Sequence, residues 1–293
     1  MAPSGSSMQG KICIVTGANS GIGKATALGL AQMGATVVMV CRDRTRGEAA
    51  QSEIQAKSGN HAVDLLIADL SSQQSIRQLV EQFRQRYAQL HVLINNAGVF
   101  NLTRHETMDG LEMTLAVNLL APFLLTNLLL DVIQASAPAR IINVSSDSHE
   151  AGYIKMDDLQ MKHFYRPMRA YGQSKLGLVL FTYEIAHRLQ GAGVTVNALH
   201  PGFVATHIAQ GNLPPVARTI AKLVLSSLGV SPEEGAKTSI YLASSPDVEG
   251  VTGKYFVKSI PVRSAPITYD EALQRRLWEE SARLVGLSVR VQA

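Results

Sequence analysis

The chain has 293 residues, 46% hydrophobic and 17% charged, with a net charge of +4. That composition excludes a disordered chain and suits one large domain with a dense interior. The positive surplus is small and scattered and aromatic residues make up only 5%, so nucleic acid is not an expected partner.

Residues 1–9 (MAPSGSSMQ) are polar, lack the charged start and apolar stretch of a signal peptide, and read as a flexible N-terminus. Lys11–Val15 is an apolar strand that runs into a glycine loop. Ile22–Met33 has helical composition and stops at Gly34. Thr36–Cys41 is a β-branched strand, Arg44–Lys57 a polar helix ending at Ser58-Gly59, and Val63–Ile67 a strand. Ser72–Tyr87 is an amphipathic helix with Ile76, Leu79, Val80 and Phe83 on one face. Val92–Ile94 is a strand, and one long helix is expected over Met108–Gln134. The rest alternates in the same way: strand Arg140–Val144, helix Ala170–Leu189, strand Val194–Leu199, helix Pro232–Ala243 and a short strand Tyr255–Val257.

The most apolar stretch, Leu119–Ile133, is too short to cross a membrane and is interrupted by Pro122, Thr126, Asn127 and Asp131. It reads as a buried core helix, and no membrane span is expected. Cys13 and Cys41 lie in apolar strands, too few for a disulfide framework or zinc site, so no metal is expected and a reducing, cytoplasmic setting fits. The alternation implies βαβ units. Unbroken apolar strands imply burial on both faces. The expected fold is a doubly wound, mostly parallel α/β sheet with helices on both faces, as a single domain over 10–293. Two stretches interrupt the alternation, 147–169 and 203–231. Both follow strand carboxyl ends, where such sheets bind ligands.

The loop Thr16-Gly17-Ala18-Asn19-Ser20-Gly21-Ile22-Gly23 joins the first strand to the first helix. Glycines there permit a tight turn and let backbone N–H groups approach a pyrophosphate, with the helix dipole adding positive charge. The spacing is G-x-x-x-G-x-G, and its strand–loop–helix context points to a dinucleotide. The second strand ends in Cys41-Arg42-Asp43-Arg44. Arg42 offers charge-assisted bonds to a 2′-phosphate and favours NADP(H), while Asp43 keeps NAD open.

At this point the residues resemble the short-chain dehydrogenase/reductase superfamily, most closely its retinol dehydrogenase-like branch. The likeness rests on TGANSGIG (16–23), ADL (68–70), NNAG (95–98), VNLLAPFLLT (117–126), IINVSS (141–146), YGQSK (171–175), HPGFVAT (200–206), GKYF (253–256) and RRLWEESARLVGL (275–287). The resemblance implies a Rossmann-type fold and a cofactor site built from Gly17, Asn19, Ser20, Gly21, Ile22, Gly23, Arg42, Asp69, Leu70, Asn95, Ala97, Gly98, Pro201, Gly202, Val204 and Thr206, with Tyr171 and Lys175. It implies a catalytic tetrad of Asn118, Ser146, Tyr171 and Lys175, with Asn118 holding a water on the proton path, and gives Ser145 a structural role.

The chemistry needs such a set. A Tyr-x-x-x-Lys pair alone is common on helices, but it places both groups on one face. Free tyrosine titrates near pH 10, too high for acid/base work at neutral pH, and a nearby ammonium lowers that value. Ser146 would hold the substrate oxygen that Tyr171 protonates. Ser146 and Tyr171 stand 25 positions apart (171 − 146), more than in the family's shorter members. The inserted stretch holds His149, close enough in sequence to Ser146 to touch substrate, and reads either as a pocket wall or as a surface loop affecting assembly. Phe203, Ile208, Leu213, Ile220, Leu223 and Leu228 are apolar candidates for a substrate cover. His200 reads as structural or cofactor-facing.

Residues 1–9 leave little room for the N-terminal anchor of the branch's membrane enzymes. The expectation is therefore an NADP(H)-dependent enzyme, carbonyl reductase or retinol dehydrogenase-like, acting on an apolar small molecule as a monomer or homodimer. The other reading is an NADP(H)-binding regulator without turnover.

Overall fold

In the computed structural model, residues 7–202 and 230–288 are described. They form one eight-stranded sheet in the order β3-β2-β1-β4-β5-β6-β7-β8. The strands are β1 Ile12–Thr16, β2 Thr36–Cys41, β3 Val63–Ile67, β4 Val92–Asn95, β5 Ala139–Val144, β6 Val194–His200, β7 Tyr255–Val257 and β8 Ile260–Val262. β3 through β7 are joined by parallel pairings, and only the β7–β8 hairpin is antiparallel. The chain steps outward from β1 to β2 and β3, then returns to place β4 on the other side of β1. That reversal opens a crevice at the carboxyl ends of β1 and β4.

Period-two alternation puts each central strand in two cores. Ile14, Val38, Val40 and Leu66 face one hydrophobic cluster, while Cys13, Val15, Val37, Met39 and Cys41 face the other. Helices α1 (Gly21–Gln32), α2 (Arg44–Ser58) and α6 (Pro232–Ser244) cover the second cluster. Helix α3 (Gln73–Arg86), α5 (Pro167–Arg188) and α7 (Glu271–Leu284) cover the first. Between α3 and α5 lies a composite helical stretch, α4, which runs Met113–Leu115, a π-type segment Ala116–Leu120, then Ala121–Leu128 and Leu130–Ala135.

The expected single helix over Met108–Gln134 is thus corrected at its start. Gly110 adopts φ +70°, and Glu106 and Glu112 form a small antiparallel bridge. The Glu112 carboxylate then accepts the N–H groups of Thr114 and Leu115 at 2.8 and 2.7 Å and starts the helix there. Met108 is left on the surface. The helix before the second half of the sheet begins earlier than expected, at Pro167, which suits the first helical turn. β8 and α7 are additions to the sequence-based elements. α7 seats Leu277 in the core and sets Trp278 edge-on to Phe123 and stacked on Phe181.

Candidate active site

The carboxyl ends of β1, β4, β5 and β6 converge with the first turns of α5. After β1, Thr16 fastens the glycine loop to the end of β4: its hydroxyl accepts the N–H groups of Asn96 and Ala97 at 2.9 and 3.0 Å. Asn96 Nδ2 returns a bond to the Thr16 carbonyl at 2.8 Å. Gly17 sits at φ +67°, and a Cβ on Gly23 would lie 2.4 Å from the Gly17 carbonyl oxygen, so the turn admits no side chain at Gly23. Asn96 was not among the sequence-based candidates; it locks the loop that those candidates form.

The loop delivers Ser20 to the start of α1 in an extended conformation with no side-chain capping bond. The first N–H groups of α1 thus have no acceptor on the cap side chain, which suits a pyrophosphate at this helix start. At the end of β2, the Asp43 carboxylate accepts the Arg46 N–H at 2.8 Å and caps α2. Arg42 is exposed and forms no ion pair among the described residues, whereas Arg44 pairs with Glu48 at 3.5 Å. Asp69 folds back on its own turn, accepting from the Ser71 N–H and hydroxyl at 2.9 and 2.8 Å. Leu70 lies half-buried beside it against the core. These features fit a nicotinamide dinucleotide along the crevice.

One sequence expectation for the crevice floor needs correction. Asn95 is buried, and its Nδ2 donates to Thr126 Oγ1 and Asn143 Oδ1 at 3.1 and 2.8 Å. Its side chain braces β4 against β5 and α4 rather than facing a ligand. Ala97 and Gly98 are half-buried at the crevice. A Cβ on Gly98 would lie 3.4 Å from Asn118 Oδ1 and 3.5 Å from Lys175 Nζ, so those two side chains meet beneath it.

Asn118 occupies the π-type segment and is fully buried. Its Oδ1 accepts the Val99 N–H at 2.8 Å, and its Nδ2 donates to the Val99 carbonyl and Ser174 Oγ at 2.9 and 3.0 Å. Ser174 in turn donates to the Tyr171 carbonyl at 2.8 Å. Asn118 thus ties the loop after β4 to the turn of α5 that carries Tyr171.

Lys175 is buried. Its Nζ donates to the Val144 carbonyl at 2.8 Å and lies 5.7 Å from the Tyr171 ring centroid. Burial pushes its pKa down to about 8. Tyr171 meets Phe100 edge-on, with ring centroids 5.7 Å apart. Burial pushes its pKa up to about 12; a hydrogen bond with Ser146 opposes that rise and the Asp147 carboxylate adds to it. The Ser146 hydroxyl donates to Asp147 Oδ1 at 2.8 Å, and Ser145 is turned away, donating to the Lys175 carbonyl at 2.9 Å. Ser146, Tyr171, Lys175 and Asn118 therefore come together in one place. A phenol, a serine hydroxyl and a buried ammonium at the mouth of a dinucleotide crevice can bind an oxygen atom and exchange a proton with it.

His149 is corrected from a substrate contact to an interior residue. It has no exposed surface, its Nδ1 bonds the Ser146 carbonyl at 2.7 Å, and its Nε2 accepts the Ala265 N–H at 3.2 Å. The rest of the inserted stretch is zipped to the segment after β4. Arg104 donates to the Gln160 carbonyl, and the Tyr165 hydroxyl donates to the Asn101 carbonyl at 2.9 Å. Pro201 and Gly202 close the site after β6, half-buried, with Gly202 at φ +85°. Phe203, Val204, Thr206 and the apolar cover residues Ile208, Leu213, Ile220, Leu223 and Leu228 lie outside the described residues.

The fold and this cluster define a nicotinamide-dependent oxidoreductase of the doubly wound class. Comparison with known proteins narrows it: a family model described as short chain dehydrogenase matches residues 11–215. Retinol dehydrogenase 13 of Homo sapiens is 47% identical, aligned over 99% of this chain and 90% of the relative. Polyprenol dehydrogenase of Homo sapiens is 41% identical over 94% and 86% of the two chains. Among solved structures, an uncharacterised protein from Mycobacterium paratuberculosis superposes with a TM-score of 0.78 at 32% identity, covering 98% of both chains. The complex of Pseudomonas aeruginosa RhlG with NADP superposes with a TM-score of 0.67 at 28% identity, covering 85% of this chain and 95% of that one. The chain belongs to the short-chain dehydrogenase family, in the branch of its retinol dehydrogenase relatives, and is an alcohol/carbonyl oxidoreductase. No helix among the described residues is long and apolar enough to cross a membrane.

Proposed function

We propose that this chain is an NADP(H)-dependent enzyme that interconverts the alcohol and carbonyl forms of an apolar small molecule of isoprenoid character, with Tyr171 as its acid/base. The observation that carries the reading is the placement of Tyr171 beside the buried Lys175, whose Nζ lies 5.7 Å from the Tyr171 ring centroid, with Ser146 close to the phenol at the crevice. The isoprenoid character is taken from relatives named for retinol and polyprenol. The bound nicotinamide supplies or accepts the hydride. In the reductive direction the Tyr171 hydroxyl gives its proton to the substrate oxygen, and Ser146 holds that oxygen by a hydrogen bond that strengthens as negative charge builds there. In the oxidative direction the Tyr171 phenolate, which the Lys175 ammonium favours, takes the proton from the substrate hydroxyl and becomes the neutral phenol. Asn118 keeps the loop under the site and the Tyr171 turn in register. Support for NADP(H) over NAD(H) comes from the Arg42 guanidinium, which has no ion pair among the described residues, and from the commitment of Asp43 to the start of α2.

The test is NADPH oxidation by wild type and Tyr171→Phe with a panel of aldehydes and ketones that includes retinaldehyde. Loss of Tyr171 is expected to lower kcat by at least about a hundredfold without changing NADPH affinity. Equal rates would overturn the assignment. Tight NADPH binding with no turnover of any carbonyl or alcohol would point to a cofactor-binding regulator instead.

A further inference from the structure

We infer that His149 and His200 are positioning residues, which together grip both ends of the Ser146–Asp147 peptide and so aim the Ser146 hydroxyl at the reacting oxygen. The inference rests on the role of Ser146 proposed above. Ser146 stands where the extended chain leaving β5 (φ −160°, ψ 158°) turns into a tight helical turn over Asp147–His149. Apart from Tyr171, its side chain bonds only its own turn, with Asp147 Oδ1 at 2.8 Å and Ser148 Oγ at 3.2 Å. Those two partners move with it, so the backbone sets where the hydroxyl can reach.

That backbone is held from outside at one peptide. The Ser146 carbonyl accepts the His149 side chain at 2.7 Å, in addition to the turn bond from the His149 N–H at 3.2 Å. The N–H of the same peptide, on Asp147, donates to His200 Nδ1 at 3.2 Å. Carbonyl and amide of one plane thus meet two imidazoles from different elements, one in the inserted stretch and one at the end of β6. Rotation of that plane, which would swing the serine, breaks both bonds at once.

The partners also fix the proton on each ring. Ala265 donates its N–H to His149 Nε2 at 3.2 Å, so Nε2 is bare and Nδ1 carries the hydrogen given to Ser146. His200 accepts at Nδ1, so its hydrogen is on Nε2. The two rings have opposite tautomers, matched to an acceptor and a donor. His149 is fully enclosed and lies against the Tyr255 ring, with centroids 4.6 Å apart.

A merely structural role for His149 would be to pin the segment around Ala265. Two amide variants separate that role from positioning. His149→Asn keeps a donor near the Nδ1 position and gives up the Ala265 bond; His149→Gln reaches the Nε2 position and gives up the bond to Ser146. In the full chain, with NADPH and an aldehyde turned over by wild type, kcat is expected to fall about a hundredfold in His149→Gln, the scale of a small misplacement. It should be largely restored in His149→Asn, with NADPH affinity unchanged in both. His200→Asn, which keeps an acceptor, should likewise outperform His200→Leu. The reverse order at His149, or equal losses tracking equal losses of thermal stability, would overturn the inference. Ser146→Ala is the control for its premise: a wild-type rate there would overturn the role of Ser146 itself, whereas impaired Ser146→Ala beside fully active histidine variants would overturn only the positioning role.

Discussion

Lys175 holds its ammonium inside the protein with one hydrogen bond, to the Val144 carbonyl at 2.8 Å. Burial lowers its pKa from 10.5 to about 8, so the unfolded chain binds that proton more tightly than the folded one. Below pH 8 both states carry the proton and the folded state bears the full burden, about 3 kcal/mol at 1.36 kcal/mol per pH unit. Between pH 8 and 10.5 the folded state has released the proton and the burden fades as pH rises. Lys175→Met should therefore stabilise the protein near pH 7 by about 2 kcal/mol, after allowing about 1 kcal/mol for the lost hydrogen bond, and by much less near pH 10. Urea denaturation at the two pH values measures the difference. The same variant should lose turnover, since stability and activity are opposed at this position. Tyr171 shifts the other way, and the Asp147 carboxylate contributes to that rise. Removing this negative charge in Asp147→Asn should lower the Tyr171 pKa and move the limb on which alcohol oxidation rises with pH to lower pH. An unmoved or raised limb would remove Asp147 from the electrostatics of the site. Sequence motifs pointed to Tyr171 and Lys175, but not to Asp147, because its effect depends on a side chain 24 positions away (171 − 147) being folded back beside it.

At the scale of elements, the strands were legible because each central one is apolar on both faces, and α3 because Ile76, Leu79, Val80 and Phe83 repeat at helical spacing. The start and pitch of α4 were not. Ala116–Leu125 is buried on every side, so no apolar stripe marks where one turn takes an extra residue. The start at Glu112 depends on a capping carboxylate, and Glu112 itself is held by Gln160, whose Oε1 accepts its N–H at 3.2 Å. Glu112→Ala should cost about 1–2 kcal/mol in a denaturation experiment, the usual value of a helix start. It should also reduce kcat more than NADPH affinity, because the segment it begins carries Asn118. A variant as stable as wild type would show that packing alone starts the helix. The short β8 strand gave no sequence signal because its three residues are all exposed and do not alternate. His149 resembled a lone histidine because its second partner, Ala265, is 116 positions away.

Across the whole molecule, the sheet reversal between β1 and β4 makes the crevice a property of the complete core, so a dinucleotide bound there stabilises every element at once. Saturation at about 100 times Kd adds about 2.7 kcal/mol, which for a domain of this size raises Tm by roughly 4–5 °C. The choice between dinucleotides is read from the same quantity. Arg42 and Arg46 follow β2 without ion pairs among the described residues, while of the acids beside them Asp43 accepts the Arg46 N–H at 2.8 Å and Glu48 pairs with Arg44 at 3.5 Å. A 2′-phosphate would meet two available guanidinium groups and no free carboxylate, a contact that added salt weakens. At equal concentration NADP should therefore raise Tm more than NAD, and the excess should shrink in high salt. Arg42→Ala should remove most of the excess while leaving the NAD shift unchanged, because the adenosine and pyrophosphate contacts stay in place. Equal shifts for NADP and NAD in wild type would reject the preference for the phosphorylated cofactor and leave the acid/base assignment intact, since the latter depends on groups at the far end of the crevice.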